Sequence, residues 1–195
     1  MYSSGLPVTS SEFVKYLKSG SGSYKVVSGW ASQWFPASFT ATVKIEGQEQ
    51  AVIFPSTEHW MMTQKALLFS DVSIAREVLS LTGTSKSEMA YVKSLGRKVK
   101  NFDEDVWKGE RKRIVLEGNL LKFRQNDELR KKLMETGDKM IVESSPRDRI
   151  WGIGYGEKNA ISNAGKWGLN LLGKALVETR RILREEEAKS LSHCD

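Results

Sequence analysis

One stretch of strict alternation sets the frame for this chain. Thr40 to Ile45 alternates apolar and polar residues with a period of two, turns at Glu46-Gly47 and resumes from Gln50 to Phe54, which reads as a β-hairpin. Beyond it the apolar residues recur every third or fourth position, the spacing of helices packed on one face. Such patterns run from Pro55 to about Phe69, from Val72 to Leu81, over 88–96 and 103–135, and from Leu169 to Arg184. Tyr24 to Val27 and Met140-Ile141-Val142 read as short strands, and 151–168, rich in Gly and Asn, as loop. Ser11 to Lys18, opened by Ser10 or Ser11 and stopped by Gly20-Ser21-Gly22-Ser23, reads as a short helix. The expected fold is α+β, mainly α, with a small antiparallel β element. The expected organisation is a leader over 1–27, one domain over 28–184 and a frayed tail over 185–195.

Composition narrows the class. With 195 residues, 39% of them hydrophobic, the chain can bury a real core, and six Trp argue against disorder. No run approaches the roughly 20 apolar residues of a membrane span. Met1 to Ser11 lacks the basic start and apolar centre of a secretory signal. The one cysteine, Cys194, permits no internal disulfide. An intracellular protein, cytoplasmic or nuclear, with no membrane contact and no obligate protein partner is expected.

The net charge of +6 is uneven. Residues 97–149 hold 15 basic against 11 acidic residues and so supply four of the six charges. Much of this lies in Arg97-Lys98-Val99-Lys100, Arg111-Lys112-Arg113 and Arg130-Lys131-Lys132, which are either solvated helix faces or a phosphate-contacting surface.

Three constellations carry possible chemistry. On a helix opened by Ser56 or Thr57, the residues Glu58, Met61, Met62 and Lys65 stand at i, i+3, i+4 and i+7 and share a face. They form either a partly exposed ion pair over a Met core or a buried carboxylate and amine with shifted acidity, suited to reaction at carbon. His59 points elsewhere and has only His193 for company, so no metal site is expected. In Ser144 to Gly154, Asp148 offers an acceptor for hydroxyls, Trp151 a flat ring, and Gly152 and Gly154 a close backbone approach. Phe102 to Arg111 adds Trp107 and an arginine. In Lys122-Phe123-Arg124-Gln125-Asn126, Asn126 is either a helix C-terminal cap or a polar hand for a ligand.

Taken in order, Ala31-Ser32-Gln33-Trp34-Phe35-Pro36, Glu58-His59-Trp60-Met61-Met62-x-Gln64-Lys65-Ala66, Leu95-Gly96-Arg97, Phe102-Asp103-x3-Trp107-x3-Arg111, Lys122-Phe123-x-Gln125-Asn126, Ser145-Pro146-x-Asp148-x2-Trp151-Gly152-Ile153-Gly154 and Gly168-x-Asn170-x-Leu172-Gly173 resemble the NADAR (YbiA-like) family from about residue 28 to 184. Gln33-Trp34-Phe35 stands where the commoner pattern has Asn-Phe-Tyr. The resemblance implies an N-glycosidase fold, mainly helical, that binds ribose phosphate or ADP-ribose and needs no metal or redox cofactor. It implies Glu58 and Lys65 as catalytic residues, with Trp107, Asp148, Trp151, Gly152, Gly154, Gln64 and Asn126 around the substrate. The leading substrate is ADP-ribosylated guanine in nucleic acid. The alternatives are a ribosylamino-pyrimidine phosphate of riboflavin synthesis and a non-catalytic ADP-ribose-binding module.

Overall fold

The computed structural model describes residues 15–19, 22–26 and 29–192. They form strands β1 (Lys15–Ser19) and β2 (Gly22–Val26), a 3-10 turn at Gly29–Ala31, strands β3 (Phe39–Ile45) and β4 (Gln48–Phe54), and seven helices. The helices are α1 (Thr57–Leu68), α2 (Val72–Ser80), α3 (Lys86–Lys98), α4 (Glu104–Arg124), α5 (Asp127–Met134), α6 (Glu157–Ala160) and α7 (Leu171–Ser192), with a 3-10 stretch at Ile161–Lys166. The fold is α+β and mainly helical, its described strands confined to the antiparallel pairs β1–β2 and β3–β4. Among the described residues no helix is long and apolar enough to cross a membrane. Two compact units emerge, one drawn from Met1–Ser32 with Asp127–Asp195, the other Gln33–Asn126.

In the Gln33–Asn126 unit, β3 and β4 pair up to Ile45↔Gln48, joined by Glu46 and Gly47, both at positive φ (50° and 84°) as a two-residue turn requires. Alternation along β3 turns Phe39, Ala41, Val43 and Ile45 inward. Phe39 stacks on Phe54 at 5.7 Å, and the Trp60 ring of α1 meets Phe54 edge-on at 5.3 Å. Trp60 also donates from Nε1 to the Ile114 carbonyl of α4 at 2.9 Å. Gly118, one turn further along α4, makes room for it, because a Cβ there would stand 2.5 Å from Trp60 Cδ1.

Helix ends in this unit follow local chemistry. Asp71 caps α2 by accepting from Ile74 N at 3.2 Å, Ser85 and Glu88 form a capping box on α3, and Asp103 accepts from Asp105 N and Val106 N on α4. Ser56 occupies the N-cap position of α1 without a capping bond from its side chain. The carbonyl of Gln33 accepts from Glu58 N at 3.0 Å instead. The helical pattern over 103–135 is interrupted at Gln125-Asn126. There Gln125 exchanges two hydrogen bonds with the backbone of Thr40, at 2.8 and 2.9 Å.

In the other unit, α7 carries Arg180 and Arg184 one turn apart. Arg180 donates to Thr136 Oγ1 and the Lys139 carbonyl, and Arg184 to Asp138 and the Gly137 carbonyl, fixing the turn after α5. Four expectations need correction here. Lys15–Ser19 is a strand paired antiparallel with Gly22–Val26, not part of a helix over Ser11–Lys18, and residues 10–14 of that expectation lie outside the described ones, as does Val27. Met140-Ile141-Val142 shrinks from a strand to a single bridge residue, Val142. The Asn170 side chain takes the backbone groups around it, donating to the Ile141 carbonyl at 2.7 Å and accepting from Glu143 N at 2.9 Å. The stretch 151–168 is not all loop, because α6 and the following 3-10 turn pack Ala160 and Trp167 with Val142 and Ile153. The tail expected from 185 stays helical to Ser192, supported by the Arg181–Glu185 pair at i,i+4.

Asn170 sits at φ 50° and is buried, so it holds both a strained backbone and two buried partners. Replacement of Asn170 by Ala orphans the Ile141 carbonyl and the Glu143 amide. The expected loss is at least about 2 kcal/mol in urea unfolding, since each orphaned buried group costs about 1–3 kcal/mol.

Candidate active site

The spacing of α1 does what its sequence implies. Glu58, Met61 and Met62 are buried along one face, with 3, 4 and 6% of their surface exposed, and Lys65 is half-buried at the end of the same row. Helix α3 meets this row at Gly96, where a Cβ would lie 1.9 Å from Met62 Sδ. Absence of a side chain there opens the Gly96 carbonyl to Lys65, whose Nζ donates to it at 2.7 Å. The same amine lies 4.2 Å from the Phe102 ring centroid and 5.4 Å from that of Trp107. Both aromatic faces and the carbonyl, which belongs to the last turn of α3, favour positive charge. Burial opposes it: desolvation lowers the Lys65 pKa below the ordinary lysine value, partly offset by the negative charge of Glu104.

Around this row stand groups with distinct settings. Gln33, buried, turns its Nε2 to Met61 Sδ at 3.8 Å, while its Oε1 has no hydrogen-bond partner. His59 is buried on another face, bonded through Nδ1 to Ser56 Oγ at 2.9 Å, and burial lowers its pKa to about 4, so it is neutral near pH 7. Gln64 is half-buried beside Lys65. Trp107, 8% exposed, presents its ring to Lys65. One turn along α4, Arg111 is 7% exposed, with Glu104 4.0 Å away. Lys122, on the same helix, is completely buried near the rings of Phe35 and Phe123, at 5.4 and 5.3 Å, and desolvation lowers its pKa to about 7.

The expected residues therefore divide. Glu58, Gln64, Lys65, Trp107 and Asn126 belong to the Gln33–Asn126 unit, and Lys65 and Trp107 are in contact. The Asn126 amide donates to the carbonyls of Ser38 and Lys122, at 3.0 and 2.8 Å, as a helix C-terminal cap does. Asp148, Trp151, Gly152 and Gly154 belong to the other unit. Asp148 Oδ1 accepts from the amides of Ile150 and Trp151 at 2.9 and 2.8 Å, which fixes the loop that presents Trp151, half-buried. Gly152 brings backbone against backbone: a Cβ there would stand 2.8 Å from the Glu143 carbonyl. Gly154 has φ +78°, in the left-handed region. Arg111 and Lys122 are cations of the Gln33–Asn126 unit whose burial spacing alone did not show.

The NADAR domain model matches residues 22–184. Over 151 residues the chain is 44% identical to N-glycosidase R617 of Acanthamoeba polyphaga mimivirus, a match covering 76% of this chain and 84% of that protein. It is 33% identical over 170 residues to protein irg-1 of Caenorhabditis elegans, covering 82% and 78%. The solution structure of Escherichia coli YbiA shares the fold at a TM-score of 0.57 and 23% identity, over 82% of this chain and 80% of that one. The chain belongs to the NADAR domain family.

Lys122 makes a pH prediction. Its pKa is lower in the folded protein, about 7, than the ordinary 10.5, so between these values the unfolded chain binds the extra proton and raising the pH favours folding. Below about pH 7 both states are protonated and that contribution is flat. In urea unfolding, Lys122→Met should remove this rise: wild-type stability minus variant stability climbs between about pH 7 and pH 10, whereas a constant difference contradicts the assignment.

Proposed function

We propose that the N-glycosyl bond this enzyme hydrolyses joins ADP-ribose to guanine in nucleic acid, and that Glu58 and Lys65 carry the reaction. The setting of Lys65 carries this reading. Its amine has a pKa lowered by burial, is held between two aromatic rings, and shares a helix face with a buried carboxylate. Named N-glycosidase relatives support the bond type. The basic excess over 97–149 supports a phosphate-bearing substrate, since Arg97, Lys98 and Lys112 are exposed and, among the described residues, form no ion pair with a carboxylate.

Cleavage of the bond builds positive charge at the ribose C1 carbon, which a carboxylate stabilises. Glu58 takes that role and moves the proton the departing guanine needs. Lys65, once neutral, forms a bond to C1 as the C1–N bond to guanine breaks. Guanine leaves with a proton, the ribose ring opens to a Schiff base on Lys65, and water hydrolyses it to release the sugar and restore the amine. Trp107 offers its ring to the base or sugar.

Turnover of an ADP-ribosylated guanine oligonucleotide, with the ribosylamino-pyrimidine phosphate run beside it, decides the substrate; cleavage of the pyrimidine alone reassigns the enzyme to small metabolites, and cleavage of neither to a binding module. Glu58→Gln should slow turnover about a thousandfold while ADP-ribose binding stays within about threefold. Borohydride added during turnover should leave a sugar adduct on Lys65 by mass spectrometry. No adduct, or one on another lysine, removes the covalent role.

A further inference from the structure

We propose that Arg111 is a phosphoryl-binding residue whose ligand is a phosphate group of the sugar phosphate that presents C1 to Lys65, an inference that rests on the function proposed above. Arg111 is 7% exposed, and its Nε is buried with no hydrogen-bond partner. The nearest carboxylate, Glu104, stands 4.0 Å from Nη1, too far for a hydrogen bond, and its side chain is 52% exposed. A guanidinium taken out of water is costly unless an anion meets it with good geometry, and here that geometry is missing. The planar fork of arginine suits the oxygens of a phosphate, which can accept two of its N–H groups at once.

The neighbours place this cation. Glu104, Trp107, Lys108 and Arg111 stand at i, i+3, i+4 and i+7 on α4 and share a face. Lys65 lies on the Trp107 ring, and Arg111 follows Trp107 by one turn on the same face of α4. Glu104 is the shared counter-charge: it acts on Lys65, lies 4.0 Å from Arg111 and is 3.9 Å from Lys108. One half-exposed carboxylate thus serves three cations, and Lys108 also reaches the exposed Asp105 at 3.4 Å. Glu104 is a counter-ion that a phosphate can displace from Arg111. Ribose 5-phosphate and the diphosphate of ADP-ribose both supply that chemistry.

Isothermal titration of the full chain with ribose 5-phosphate, ADP-ribose and ribose tests it. Arg111→Met should weaken the two phosphorylated ligands about 10- to 100-fold and leave ribose unchanged, with Arg111→Lys recovering part of the loss. Glu104→Gln should tighten the same ligands several-fold, an opposite sign that a merely structural Arg111 does not produce. A loss for both ligands assigns the phosphate next to the ribose, and a loss for ADP-ribose alone assigns the more distant one. Wild-type affinity in both Arg111 variants, or weaker binding in Glu104→Gln, overturns the proposal; if Arg111→Met does not fold, the sign in Glu104→Gln decides. Binding that follows this pattern without turnover of either glycosidic substrate overturns the proposed function and leaves the phosphoryl site standing. Turnover in which Arg111→Met slows phosphorylated and phosphate-free substrates equally does the reverse.

Discussion

The packing of Trp60 against Gly118 sets the geometry on which the candidate site depends. A large ring on α1 reaches the α4 backbone only where α4 has no side chain, and the indole N–H then finds the Ile114 carbonyl. That contact fixes both the distance and the rotation of the two helices. Trp107, Arg111, Ile114 and Gly118 lie along one buried stripe of α4, so orienting one of them orients all four. Lys65 stands five residues beyond Trp60 on α1 and reaches the Trp107 ring at the opening of α4. Gly96 plays the same part for α3, admitting Met62 and exposing a carbonyl to the amine.

The electrostatics follow from that packing. Three basic residues, Lys65, Arg111 and Lys122, are drawn wholly or partly out of water within one unit. Burial lowers the pKa of both Lys65 and Lys122, the latter to about 7. Aromatic faces border both lysines and replace part of the lost hydration.

Much of this was legible in the residues. The hairpin follows from periodicity, because a half-buried strand imposes it directly, whereas α1 is buried on every side over Thr57–Thr63, so its spacing aligned Glu58 with Lys65 without singling out that face. What completes the setting of Lys65 comes from elsewhere in the chain: Gly96 from α3, and Phe102 from the turn before α4. No local spacing reports such contacts. The burial of Arg111 was hidden by its place in the run Arg111-Lys112-Arg113, which reads as solvated, and that of Lys122 by its type, since a lysine is seldom fully buried. Asn170 replaced a strand partner with one side chain, and Trp167, bonded to the Ala160 carbonyl, helped hold in place a segment that its Gly and Asn content marks as loop.

Gln125 has a consequence for how the chain keeps to itself. A two-stranded ribbon exposes hydrogen-bonding groups on both margins, where another molecule can add a strand. At Thr40 those groups are already occupied, because the carboxamide of Gln125 offers the same donor and acceptor as a peptide unit, and Asn126 takes the Ser38 carbonyl beside it. The end of α4 therefore acts as a single-residue stand-in for a third strand. It occupies the β3 margin at Thr40 and leaves this described sheet at two strands.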